Sequence, residues 1–320
     1  MSDAHVATGR GHQTRETRKA LAGRCALALL PVLAVLLGLS GCGGLSVSVS
    51  GGVIQVVAGE NFWGSLAAQL GGVHVKVTSM VTDPSADPHQ FETSAKSART
   101  FAAANYVILN GAGYDSWGQK LVDANPVKGR KVFNVASLLG KKQGDNPHFW
   151  YDPDYVRRVI DQITADYRSL DPQDSAYFTE QREAFLSSLS QYDSLIASIK
   201  ETYGGAKIGA TESIFVYMAD SLGLELITPP SFMNAVSAGN DPPTSAVAQM
   251  QQQITQKQIA VLVYNSQTET LVTTNIKKLA SSNGIPMVGI TETVVPPNVS
   301  FEDWQVTQLT ALQQALGAGK

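Results

Sequence analysis

Two short stretches, DPHQFE from Asp87 and NPHFWYDP from Asn146, each set a histidine behind a proline among acidic or amide side chains. An imidazole held in a restrained loop is a good ligand for a divalent transition metal, and two such loops supply two nitrogen donors. The chain has five histidines, of which His5 and His12 lie in a basic leader. His74 alternates with Val73, Val75 and Val77, the pattern of a structural or solvent-facing strand residue. His89 and His148 therefore remain as the candidate imidazole ligands.

Two carboxylates complete a possible site. Glu212 follows the apolar run KIGAT and Glu292 follows PMVGIT, in the local frames Thr-Glu-Ser and Thr-Glu-Thr. A carboxylate buried at a strand end is costly unless paired, and a dication offsets that cost. Two neutral imidazoles and two carboxylates neutralise a dication, a donor set that suits Zn2+ or Mn2+ and admits Fe2+, while the lack of thiolates disfavours soft ions. A glutamate in this position equally serves the start of the next helix, so capping is the alternative for either residue alone. The polar loops GNDPPTS (239–245) and YNSQTET (264–270) carry Asp241, Asn265 and Gln267 as further oxygen donors, although turns and helix starts account for such loops. Trp63, Trp117, Trp150 and Trp304 read first as core residues. NGAGYDSW (110–117) lacks the glycine spacing that cradles a phosphate.

The elements that must position these residues alternate in type. VIQVV (53–57), VKVTSMV (75–81), YVILN (106–110) and KVFNV (131–135) read as short, nearly continuous apolar strands separated by helical stretches such as SAKSARTFAAA, with Thr93 and Ser94 as candidate caps. After a break, KIGAT (207–211), LELIT (224–228), IAVLVY (259–264) and PMVGIT (286–291) repeat the rhythm. This predicts an α/β protein of two doubly wound lobes, each with a mostly parallel central sheet, over 53–170 and 206–320. Loops at the carboxyl ends of parallel strands are where such sheets build their sites.

Between the lobes, 171–205 reads as a linker helix. Asp171 and Pro172 start it, and Gly204 with Gly205 stops it. Phe178, Phe185, Leu189, Tyr192, Ile196, Ile199 and Tyr203 fall on one face, and an unbroken helix would be about 48 Å long. The alternative is two helices parted near Ser187 and Ser188. A rigid connector predicts small lobe movements and a site in the cleft between lobes.

The first forty-one residues are set apart. Arg10, Arg15, Arg18, Lys19 and Arg24 precede the uncharged run ALALLPVLAVLLGL, which ends at Ser40, Gly41 and Cys42. That order is the signature of an export signal, and the run is too short for an ordinary spanning helix. LSGC resembles the bacterial lipobox, which implies lipidation of Cys42, a tether over 42–52 and loss of Cys25 with the signal. Losing the five basic and two acidic residues of the leader would leave 19 basic against 25 acidic residues in the mature chain. With no basic field, a nucleic-acid partner is not expected.

Taken together, LSGC, DPHQFE, NGAGYDSW, NPHFWYDP and the long amphipathic segment resemble the zinc and manganese solute-binding lipoproteins of bacterial ATP-binding cassette importers. The resemblance implies two lobes joined by a rigid helix, a cleft metal held by two residues from each lobe, and a monomer delivering its ion to a membrane permease. By that resemblance His89 and His148 take the two N-lobe positions, and Glu212 and Glu292 the two C-lobe positions. The family's fourth ligand is usually an aspartate, so Glu292 brings an extra methylene to that place. An exported zinc hydrolase is the first alternative, but there is no HExxH or GxSxG, and a closed four-ligand site leaves no position for catalysis. A surface adhesin of the same fold is the second, without repeats to support it. An iron-chelate receptor would use cleft arginines or aromatics in place of paired histidines.

Overall fold

The computed structural model describes residues 52–84 and 91–318. Cys42 and His89 lie outside the described residues. Among those described, no helix is long and apolar enough to cross a membrane.

The N-terminal lobe runs β1 (Ile54–Glu60), α1 (Asn61–Gly71), β2 (Val75–Val81), α2 (Ala95–Ala103), β3 (Tyr106–Leu109), α3 (Ser116–Ala124), β4 (Lys131–Asn134), α4 (Val135–Leu139) and α5 (Pro153–Leu170). Its four strands are parallel in the order β2-β1-β3-β4, with Val56 opposite Val77 on one side and Tyr106 on the other. β1 is buried on both faces, which is why its sequence is nearly continuous in apolar residues and does not alternate. Helix starts follow local chemistry. Ser94 caps α2 in a reciprocal capping box with Ser97, and the Asp152 carboxylate accepts from the backbone N–H groups of Asp154 and Tyr155 at the start of α5.

α6 (Ser175–Ser188) and α7 (Ser190–Tyr203) connect this lobe to β5 (Lys207–Ala210), α8 (Val216–Ser221), β6 (Glu225–Leu226), α9 (Pro230–Ser237), α10 (Thr244–Thr255), β7 (Val261–Asn265), α11 (Leu271–Ser282), β8 (Met287–Ile290) and α12 (Phe301–Ala318). The second sheet repeats the first, parallel in the order β6-β5-β7-β8. In both, the strand order reverses beside the first strand, and the carboxyl ends there open a crevice. The LELIT run contributes only the two paired residues of β6.

The connector departs from an unbroken helix at Leu189. Helical bonding passes through it, since the Leu189 N–H reaches the Phe185 carbonyl at 3.3 Å and the Asp193 N–H the Leu189 carbonyl at 2.9 Å. Ser188 Oγ also donates to the Phe185 carbonyl, at 2.8 Å. A serine competing for a helix carbonyl is a local cause of such breaks, and no proline or glycine is needed. The predicted apolar face survives, with Phe178, Phe185, Leu189, Tyr192 and Ile199 all buried.

One apolar core runs under both lobes and includes Trp63, Trp150, Tyr151, Phe215, Ile290 and Trp304. α12 packs on α7 and touches α1. Its first turn is tied to α1 by the Phe301 N–H donating to Ser65 Oγ at 3.0 Å and by Gln69 Nε2 donating to Glu302 at 3.0 Å. The lobes are therefore braced by the C-terminal helix as well as by the connector.

Candidate metal centre

His148 stands before a single 3-10 turn (Phe149–Tyr151) that leads into α5, and is 1% exposed. Asn146 fixes its ring. Asn146 Oδ1 accepts from the His148 backbone N–H at 3.2 Å and lies 2.6 Å from Nδ1, while Asn146 Nδ2 donates to the Ser213 carbonyl at 2.8 Å. Those bonds orient the amide with its oxygen towards the histidine, so Nδ1 is the ring nitrogen that donates to it. A second amide holds the loop from behind: Asn110 Nδ2 donates to the Pro147 carbonyl at 2.9 Å, and Trp63 Nε1 donates to Asn110 Oδ1 at 3.0 Å.

Asn110 opens the turn that NGAGYDSW encodes. The Asp115 carboxylate closes it by accepting from the backbone N–H groups of Asn110 at 2.6 Å and Gly111 at 2.8 Å. Gly111 has φ 78° and packs against Asn134, so a side chain there would meet both strain and a clash. The turn delivers Tyr114, whose hydroxyl donates to Glu292 Oε2 at 2.7 Å from the opposite lobe.

Glu292 follows β8 and is 2% exposed. Its other oxygen accepts from Asn265 Nδ2 at 2.7 Å, and Gln267 Oε1 accepts from the backbone N–H groups of Glu292 and Thr293. Asn265 and Gln267, weighed as oxygen donors from the sequence, thus position Glu292. Glu212 follows β5, is equally buried, and makes no side-chain capping bond to the turn after it. Capping, the alternative for this residue, is not its role.

His148, Glu212 and Glu292 are all buried at carboxyl ends or loops of facing lobes. Among the described residues, however, the grouping with three ligand atoms within 4.8 Å of one another is a different one, His74, Asp171 and Asp174. There His74 Nδ1 lies 2.9 Å from Asp174, and the imidazole packs on Tyr177. This clasp joins the start of β2 to the turn before α6, consistent with a structural His74.

Sequence reasoning passed over Glu60. It ends β1, is wholly buried, and neither carboxylate oxygen has a hydrogen-bond partner among the described residues. Burial pushes its carboxyl well above the usual range, and the charges of Asp115 and Glu292 push it further, opposed by its own backbone N–H. The rule that selected Glu212 and Glu292, a glutamate at a strand end, applies equally to the glutamate that closes β1.

The family model for the zinc-uptake complex component A, periplasmic, matches residues 56–315. The manganese-binding lipoprotein MntA of Bacillus subtilis is 25% identical over 254 residues, covering 74% of this chain and 80% of that protein. The manganese ABC transporter substrate-binding lipoprotein PsaA of Streptococcus pneumoniae is 24% identical over 212 residues, covering 60% of this chain and 67% of that one. Among solved structures, the periplasmic zinc-binding protein TroA of Treponema pallidum superposes with a TM-score of 0.70 at 14% identity, over 83% of this chain and 99% of that one. A manganese-bound periplasmic metal-binding protein from Candidatus Liberibacter asiaticus gives 0.69 at 17% identity, over 82% and 99%. These relatives are binding proteins by name, and none of them is named as an enzyme.

Proposed function

The chain belongs to the family of the zinc-uptake complex component A, the substrate-binding proteins of metal importers, and from that premise we propose that it captures one divalent transition metal, Zn2+ or Mn2+, outside the cytoplasm and releases it to a membrane permease. The ligands are His89 and His148 from the N-terminal lobe and Glu212 and Glu292 from the C-terminal lobe. Lipid on Cys42 holds the protein, as a monomer, to the outer face of the membrane.

The observation that carries this reading is the state of His148. A buried imidazole whose Nδ1 is engaged by the Asn146 amide is oriented as a metal-ligating histidine is, with Nε2 as the coordinating nitrogen. Two buried carboxylates from the other lobe supply the negative charge that a dication needs, and the orienting amides of Asn146, Asn110 and Asn265 hold the donors without adding charge. Fe2+ has the same donor preferences and is admitted by the same set. A hydrolase would need an open coordination position and a base, and two residues from each lobe would close a four-coordinate site.

The test is calorimetric titration of the chelator-stripped protein with Zn2+ and Mn2+ separately. One equivalent bound tightly by the wild type, with affinity lost in His89→Ala, His148→Ala, Glu212→Gln and Glu292→Gln while the metal-free variants keep their circular dichroism, is the expected result. Absence of binding by the wild type would remove the metal-receptor reading.

A further inference from the structure

His74, Asp171 and Asp174 meet at the opposite end of β2 from the cleft. His74 closes the 3-10 turn Gly72–His74 just before β2, and that strand then carries the chain about 20 Å to the carboxyl edge where the crevice opens. Asp171 ends α5, and Asp174 closes the 3-10 turn Pro172–Asp174 that leads into α6. One donor atom from each of the three side chains lies within 4.8 Å of the other two. α6 holds the imidazole from behind, with ring centroids 4.5 Å apart for Tyr177 and 5.8 Å apart for Phe178, and the Tyr177 hydroxyl accepts from the Val73 N–H at 3.2 Å.

Asp171 is the member that a clasp between His74 and Asp174 does not explain. It is 4% exposed and makes no capping bond to the turn that follows it. Among the described residues its carboxylate takes part in no hydrogen bond or ion pair, and Arg168, the cation in the last turn of α5, donates instead to Ser175 Oγ at 2.8 Å. With a neutral imidazole the three groups carry two negative charges. A proton on His74 offsets one of them, at Asp174, where Nδ1 stands 2.9 Å from Oδ2. A dication bound by all three side chains offsets both and gives the buried carboxylate its partner. The separation of His74 from Asp174 is already that of two donors on one ion, about 3 Å when each bond is about 2.1 Å.

We infer that His74, Asp171 and Asp174 form a divalent-metal site separate from the cleft, which takes Zn2+ ahead of Mn2+ and is completed by water. One imidazole nitrogen with two carboxylate oxygens suits borderline ions, and zinc stands above manganese in the affinity order for a given site. Three protein ligands leave a coordination position open, and the partly exposed side chains of His74 and Asp174 let solvent reach it. The ligands come from both sides of the joint between the N-terminal lobe and the connector. A bound ion therefore staples the start of β2 to the entry of α6. None of the cleft ligands takes part, so this site stands or falls apart from the receptor reading.

The experiment is calorimetric titration of the untagged full-length protein with Zn2+, in detergent after chelator stripping, beside its Asp171→Asn and His74→Gln variants. Each variant is expected to bind one zinc ion fewer than the wild type with its circular dichroism unchanged, while the tight equivalent assigned above to the cleft stays. The same number of zinc ions in the wild type and both variants would overturn the inference and leave the receptor reading intact. Because either variant could fail to fold, a second measurement uses the wild type alone, with diffraction data collected at the zinc absorption edge from crystals grown with two equivalents of Zn2+. An anomalous peak in coordination contact with His74, Asp171 and Asp174 supports the site. A map with no peak there, or with an adventitious ion on His74 alone, refutes it.

Discussion

Replacing Asn146 by alanine probes the geometry of the proposed site at one remove from its ligands. The change deletes three side-chain hydrogen bonds, two accepted from His148 and one donated to the Ser213 carbonyl, and leaves the bond from Tyr217 to the Asn146 carbonyl in place. At about 1 kcal/mol each, discounted because Asn146 is only half-buried, the metal-free protein should lose about 2 kcal/mol. That corresponds to a fall in Tm of about 3 °C for a chain of this size. The metal effect has a separate origin. Without an acceptor at Nδ1 the His148 proton can move to Nε2, the nitrogen that must bind, and affinity should drop by about 10–100-fold. Calorimetry measures the affinity, and long-range nitrogen-15 NMR reports the tautomer. Asn146→Asp provides the control, since it keeps the acceptor for His148 but gives up donation to Ser213, so stability should fall while the tautomer and most affinity remain. An alanine variant with the Nδ1–H tautomer and full affinity would refute the reasoning.

Three further expectations follow from other parts of the fold. Tyr114→Phe removes the hydroxyl that joins the lobes at Glu292 and should weaken metal binding about tenfold or more with little loss of secondary structure, read by the same titration. Arg130→Ala should lower stability by about 2–3 kcal/mol in thermal melts, because its guanidinium caps the carbonyls of Phe101, Val122 and Asn125 at the ends of α2 and α3. Burial raises the phenol pKa values of Tyr106, Tyr151, Tyr167 and Tyr192 above the ordinary value of 10.0. Their contribution to stability is therefore complete below pH about 10 and is lost as pH rises towards the folded-state values. Absorbance of phenolate at alkaline pH should show these four ionising together with unfolding, and their free titration in the folded protein would contradict it.

The strands were legible because a parallel sheet buried on both faces demands continuous apolar runs, and VKVTSMV coincides with β2 from end to end. β6 fell short of LELIT because only Glu225 and Leu226 pair with β5, a length fixed by the neighbour and not by propensity. The break at Leu189, just past Ser187 and Ser188, is faint in the sequence because serine competition for a carbonyl leaves a weaker mark than proline or glycine. In the site, His148 stood out by its proline loop and Glu212 and Glu292 by their place after strands. The amides of Asn110 and Asn146 were invisible as orienting groups, because the carbonyls of Pro147 and Ser213 that hold them lie far from them in sequence. Glu60 escaped because a glutamate between a strand and a helix is ordinary on a surface. Only its complete burial makes it exceptional.

The short segment after β8 carries a kinetic consequence. Residues 291–294 are fastened to the N-terminal lobe by Tyr151 on the Thr291 carbonyl, Tyr114 on Glu292 and Asn61 on both backbone groups of Val294, while Gln267 spans from Glu292 and Thr293 to the Pro84 carbonyl. An ion held as proposed would leave past this seam only when those bonds part together. Spontaneous escape would then be slow even where equilibrium affinity is moderate, and the residence time of the cargo would be governed by whatever surface pries the two lobes apart.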